Sequence, residues 1–252
     1  MGERPVMPPL FRPLAVTPDI DPFERGLQVA AEGAEAGTVL WSIGQDRCQA
    51  AVVLAPEHAL EDSLPIVLVA MLGLGDALGA LLPPVVALTF GWPDRIEVNG
   101  GVVGGVRMAS ARTEKPGDVP DWMVVGYGIA AQSRPGPEGG NPPGVEPGHR
   151  PGHTTLADEG CDVACIDLIE HFSRHFLAWI NRWQQDGVAP VRQAWLSRAA
   201  GLSSSIEVAS GPHRKQGIFT GLTDTGSIRL MRNGITQTVS LEEAMKAPSW
   251  TL

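Results

Sequence analysis

The chain has 252 residues, 43% of them hydrophobic, and a formal net charge of −9. That apolar share supports a large packed core and argues against wholesale disorder. Lys115, Lys215 and Lys246 are the only lysines, so the surface is a poor match for nucleic acid or an anionic membrane.

Residues 1–20 are proline-rich and predict an extended surface segment without the continuous apolar stretch of a signal peptide. Asp21-Pro22 predicts a helix start, with the aspartate as cap and proline in the first turn. "QAAVVLAPE" (49–57) predicts a central strand. The apolar run that begins at Leu64 is interrupted by Asp76 and Pro83-Pro84. It therefore predicts a buried helix over 63–82 and a strand over 85–90 rather than a membrane span. "RIEVNGGVVGGVRM" predicts a hairpin turning at Asn99-Gly100, and "DWMVVGYGIAA" a further strand. The Pro/Gly segment 133–152 predicts a mobile loop.

"CIDLIEHFSRHFLAWINRWQQDG" predicts a long amphipathic helix stopping at Gly187, with a short helical continuation. Cys161, Cys165, His171 and His175 repeat at helical intervals, a spacing open to zinc or to an ordinary helix face; the expectation is no metal. Three cysteines fit no disulfide framework and predict free thiols in a reducing cytoplasm. After Gly201, four short strands with turns at Asp224-Thr225-Gly226 and Asn233-Gly234 predict a small barrel. The predicted division is 1–202 and 203–252. The arginine-over-lysine bias and the abundance of Ala, Gly and Pro suggest a GC-rich, bacterial genome.

In order and spacing, several motifs together resemble the biotin/lipoate protein ligases. The family's Lys-Trp-Pro-Asn-Asp signature falls on Phe90 to Arg95. Its Lys-x-x-Gly-Ile strand falls on Gly101 to Gly105, and its Gly-x-Gly-Ile-Asn strand on Gly126 to Ala130. "TTLADEGC", "QDGVAPVRQAWLSR" and "GIFTGLTDTGSIRLMRNGITQTVSLEE" follow in the family's sequence of parts. The resemblance implies an α+β fold: a mixed sheet with helices like that of class II aminoacyl-tRNA synthetases, then an SH3-like barrel. It implies a biotin- or lipoate-like acyl ligand, activation by ATP with magnesium, and a biotinyl or lipoyl carrier domain as acceptor.

Adenylation gathers negative charge at one phosphorus and requires cations aimed at it. The resemblance would supply a lysine where this chain has Gly101, and an arginine-rich loop where it has the acidic "AEGAEAGTVLW". Asp94-Arg95 replaces Asn-Asp, and Ala130 replaces the strand asparagine. Arg95 and Arg107 are the candidate substitute cations; pairing with Glu97 and Asp94 is the alternative. The ligand-binding residues implied are Trp41, Ser42, Trp92, Asp94, Gly101, Gly104, Gly105, Val106, Gly126 and Gly128. The glycines would floor a pocket or relieve crowding, and Trp41 would wall the pocket or plug the core. The expectation is a ligand-binding member with ATP-dependent ligation in question. The alternatives are a non-catalytic binding or carrier-docking protein, or a lipoyl/octanoyl-type acyltransferase using Cys48 or Cys161. The acidic neighbours of Cys161 would raise its pKa.

Overall fold

The computed structural model describes residues 4–44, 46–115, 117–132, 152–210 and 213–250. Apart from Gly152, the predicted Pro/Gly loop lies outside these residues. The main sheet comprises β1 (Arg12–Ala15), β2 (Thr38–Ile43), β3 (Arg47–Leu54), β4 (Leu88–Gly91), β5 (Arg95–Val98), β6 (Gly101–Ser110) and β7 (Met123–Ala130). Its order is β1-β2-β3-β7-β6-β5-β4, and only β1 on β2 is parallel. The β5–β6 turn has Asn99 and Gly100 at φ 50° and 86°, the left-handed pair expected of a tight hairpin.

The sequence pattern did not reveal β1 or β2. β2 occupies the second half of the stretch aligned with the arginine-rich loop. The connection entering β3 is therefore only Gly44 to Asp46. The acidic residues 32–37 lie at the opposite end of β2 from Ser42, roughly 16 Å away at ~3.3 Å per residue. There Glu35 pairs with Arg12.

Helix α1 (Pro22–Ala31) begins as expected, the Asp21 carboxylate accepting from Phe23 N at 2.8 Å. It covers one face of the sheet with Phe23, Val29 and Ala30 against Leu40, Ala51, Val53 and Val124. The other face packs against α2 (Leu60–Ser63), α3 (Ile66–Leu81), α4 (Cys165–Asp186) and α5 (Val188–Leu196). The segment Leu60–Leu81 has the length to cross a bilayer, and an 18-residue window within it has a mean hydropathy of 2.0, but 78% of that window is buried inside the fold. It is the central core element. α4 stops at Gly187, where φ is 75°.

The second sheet has β8 (Ser205–Ser210), β9 (His213–Leu222), β10 (Ile228–Arg232) and β11 (Ile235–Val239) in the order β11-β10-β9-β8, followed by α6 (Leu241–Met245). Trp195 is the joint: its ring lies 6.0 Å from Phe90 and 6.4 Å from Phe219. One apolar core consequently runs from the main sheet into the small one.

The cysteines differ from expectation. Cys48 of β3 and Cys165 at the start of α4 form a disulfide across 117 positions, tying the helix to the sheet. Spacing alone does not disclose such a pair, because the fold and not the chain brings the two residues together. A zinc set using Cys165, a cysteine nucleophile at Cys48 and a wholly reduced chain are each inconsistent with this bond.

Candidate ligand-binding site

Strand alternation sorts the predicted site residues onto two faces. Trp41 and Val106 belong to the helix-covered core, together with Ala50 and Tyr127. Trp41 thus plugs the core. Arg107 and Gly126 face α1, and the same alternation places Ser42, Gln49, Gly128 and Gly105 on that side.

Pairing across the strands lines up one row on this face. Ser42 of β2 sits opposite Gln49 of β3, Gln49 opposite Gly128 of β7, and Gly128 opposite Gly105 of β6. Ser42 is 1% exposed and Gln49 5%. Neither side chain has a hydrogen-bond partner among the described residues, and neither is among the wholly buried unsatisfied groups. Gly128 and Gly105 add no side chain of their own to the row, and at Gly105 the Asp94 carbonyl and the Trp250 indole lie where a Cβ would be. Gln49 was legible as a lone amide in an apolar strand, a pattern that points to a buried polar role.

The neighbouring row, Leu40–Ala51–Gly126–Arg107, is closed. Phe23 lies against Gly126, and the Arg107 guanidinium sits 4.5 Å from the Phe23 ring centroid. Arg107 donates to both oxygens of Asp21 at 2.7 and 2.6 Å and lies 3.6 Å from Glu24. Arg95 pairs with Glu97 at 3.7 Å, and Arg47 with Asp46 at 3.2 Å. Among the described residues, Arg47, Arg95 and Arg107 thus each face a carboxylate.

The remaining predicted residues have other surroundings. A Cβ at Gly101 would lie 2.6 Å from Thr154 Cγ2, so a lysine there would have to displace the segment that carries Thr154. Gly104, at φ 148°, lies at a bulge where β6 shifts register against β5, and its missing Cβ makes room for Gly128 O. Trp92 points its indole N–H to Gly226 O of the small sheet at 3.0 Å. Asp94 is fully buried and accepts from the Ser249 backbone N–H at 3.0 Å and from the Ser249 hydroxyl. Burial pushes its pKa up to about 6, against the pull of those bonds and of Arg95. Cys161 is buried, and its thiol is pushed up by burial and by Glu159, which is unfavourable for a nucleophile.

On the opposite, helix-covered side, a cavity of about 420 Å³ is lined by Gly75, Asp76, Gly79, Leu88, His175 and Arg198. Asp76 there accepts from Trp179 at 2.7 Å and Arg198 at 2.6 Å. His171 and His175 stack on α4 with 6.2 Å between ring centroids. Among the described residues no three His, Cys, Asp or Glu side chains converge as a metal site would require.

Residues 7–197 match the profile of the Biotin/lipoate A/B protein ligase family. The chain belongs to this family. Over 190 residues it is 30% identical to a biotin–[acetyl-CoA-carboxylase] ligase of Paracoccus denitrificans, covering 75% of this chain and 76% of that one. A solved biotin protein ligase-like protein of unknown function from Silicibacter sp. TM1040 superposes with a TM-score of 0.82 and 33% identity, covering 94% of this chain and 97% of that one. The biotin protein ligase of Aquifex aeolicus shares the fold at a TM-score of 0.72 and 18% identity, over 92% of this chain and 97% of its own. The chain thus shares the biotin protein ligase fold, with its mixed sheet and C-terminal antiparallel sheet, even where the signature residues differ.

Tyr127 offers a test of the core behind the row. Its hydroxyl is buried without a partner, stacked edge-on to Phe172, and burial raises its pKa strongly. Tyr127→Phe removes the orphaned group at nearly unchanged shape. Urea denaturation should show stability equal to the parent or higher by about 1 kcal/mol. A loss of similar size would mean that the hydroxyl has a partner after all.

Proposed function

We propose that this chain binds a biotin-type ligand on the row Ser42–Gln49–Gly128–Gly105 and activates it with ATP very slowly or not at all. The observation that carries the reading is the pair of polar side chains at one end of that row, on residues of low exposure and with no hydrogen bond among the described residues. A hydroxyl and a carboxamide both donate and accept. They suit a neutral ring bearing N–H and C=O groups, as the biotin ureido ring does. A lipoyl or octanoyl chain would leave both groups unsatisfied, and buried polar groups discriminate strongly against ligands that cannot pair with them.

The charge pattern supports the second half of the proposal. The phosphoryl-transfer step needs cations free to meet developing negative charge, and loss of one such donor costs roughly 10²–10³ in rate. Arg47, Arg95 and Arg107 are each held by a carboxylate, and Gly101 stands under Thr154 where the family signature has lysine. We place the division between ligand-binding unit and barrel at residues 202–203, the barrel serving structure or carrier docking. The non-catalytic binding protein is the reading nearest to this one, and the same paired arginines favour it.

Thermal-shift and calorimetric titrations with biotin, lipoate and octanoate, alongside ATP–pyrophosphate exchange, test both halves. Biotin should raise the Tm, the two linear acids should not, and exchange should read near background. Ser42→Val with Gln49→Leu should abolish the biotin shift while leaving the unliganded protein folded. Equal shifts from octanoate would defeat the ligand assignment, and rapid exchange would defeat the catalytic one.

A further inference from the structure

The Gly105 end of the row is not open. The Asp94 carbonyl and Trp250 share the space over it: a Cβ on Gly105 would meet Asp94 O at 2.1 Å and the indole Nε1 at 2.5 Å, and that nitrogen donates to Val106 O at 3.3 Å. Ser249 beside it donates from its backbone and its hydroxyl to the Asp94 carboxylate, 155 positions earlier in the chain. Trp250 is 5% exposed yet belongs to neither apolar core cluster. The four residues that lead to it from α6, Lys246 to Ser249, are all exposed and form no helix or strand.

A large aromatic ring that joins neither core cluster and is held against β6 by one hydrogen bond, at the end of an irregular strap tied at Ser249 to Asp94, has the chemistry of a bound ligand rather than of a core side chain. We propose that Ser249–Trp250 is an internal occupant of the ligand site, which leaves the Gly105 surface when a ligand long enough to reach it binds. The inference rests on the reading of the Ser42–Gln49 row as the ligand site. The indole stands in for a flat ring with an N–H donor, so the ligands that compete with it are those extending such a ring beyond Gly128 toward β5. A compact ligand confined to Ser42, Gln49 and Gly128 coexists with the tail. A structural plug would instead be as firmly held as the sheet beneath it.

Two measurements separate these cases. The first needs no ligand. In native-state hydrogen exchange of the intact chain, the Ser249 amide should exchange at least a hundredfold faster than amides of the β6–β7 ladder, through local opening. Exchange of Ser249 as slow as that ladder would overturn the proposal, whatever the site binds. The second compares the parent with Trp250→Gly for biotin and for biotinyl-5′-AMP. The variant should keep a cooperative thermal transition, bind biotin within about threefold of the parent, and bind biotinyl-5′-AMP at least tenfold more tightly. An unchanged or weaker biotinyl-5′-AMP affinity in the folded variant would overturn the internal-occupant role. Failure of both proteins to bind either compound, with fast Ser249 exchange, would refute the row as ligand site while leaving the strap detachable. Should Trp250→Gly not fold, Trp250→Leu makes the same comparison with the ring removed and apolar bulk retained.

Discussion

Gly104→Ala is expected to destabilise the protein by about 4 kcal/mol, near the upper end of single-substitution effects. Two independent costs meet at this position. The backbone has φ 148°, a conformation almost confined to glycine, which alone costs an L-residue roughly 1–3 kcal/mol. The added Cβ would also overlap Gly128 O and press on Ile129 Cα at 3.0 Å, and both are backbone atoms of the paired strand. A flexible side chain could turn aside; a strand held by its ladder cannot, so β6 and β7 must separate or the bulge must rebuild. Gly79→Ala is the internal control. Gly79 is exposed in α3, with nothing within 4 Å of its Cβ position, and alanine there should add up to about 1 kcal/mol through helix propensity. Guanidinium unfolding of both variants checks the contrast. A Gly104→Ala loss below about 1 kcal/mol would show that the bulge is free to relax.

The double glycine at 104–105 shows what could and could not be read from the chain. Two adjacent glycines on a strand announce close approach of something, but not which glycine meets what. Gly104 accommodates the Gly128 carbonyl of the neighbouring strand, whereas Gly105 accommodates the Asp94 carbonyl together with the Trp250 indole. Local signals did well where the physics is local. The Asp21 cap, the Asn99-Gly100 and Asn233-Gly234 turns and the Gly187 helix stop all lie where short-range geometry demanded them.

Long-range partners were illegible for an equally physical reason. The Cys48–Cys165 bond, the Asp94–Ser249 contact and the Arg107–Asp21 pair join residues 86 to 155 positions apart. No periodicity encodes such meetings; only the completed sheet creates them. β2 is hidden in the sequence because the family pattern lays a loop over its first residues, although Thr38, Val39 and Ile43 are ordinary strand formers. Once β2 is in place, Ser42 falls opposite Gln49, and the candidate row follows from register alone.

The buried Asp94 carboxylate should leave a signature in the pH dependence of stability. Its pKa is raised from 3.8 to about 6, chiefly by burial, so the folded state holds this proton more tightly than the unfolded chain does. Below about pH 4 the group is protonated in both states and costs nothing. Between about 4 and 6 the unfolded chain ionises first, and stability falls as pH rises; above about 6 the loss is complete. A shift of two units corresponds to a loss on the order of 2–3 kcal/mol. Asp94→Asn keeps the shape and can still meet Ser249 through its carbonyl and amide, but it carries no charge to bury. The stability of the variant minus that of the parent should therefore increase by on the order of 2 kcal/mol between pH 4 and pH 7. The other carboxylates largely cancel in the difference, because Arg95 and Glu97 remain paired and the Ser249 strap remains attached in both proteins. Urea unfolding at half-unit pH steps measures this. A flat difference would mean that water reaches Asp94, and a difference that falls with pH would mean that Ser249 and Arg95 outweigh burial and hold the carboxyl below its ordinary range.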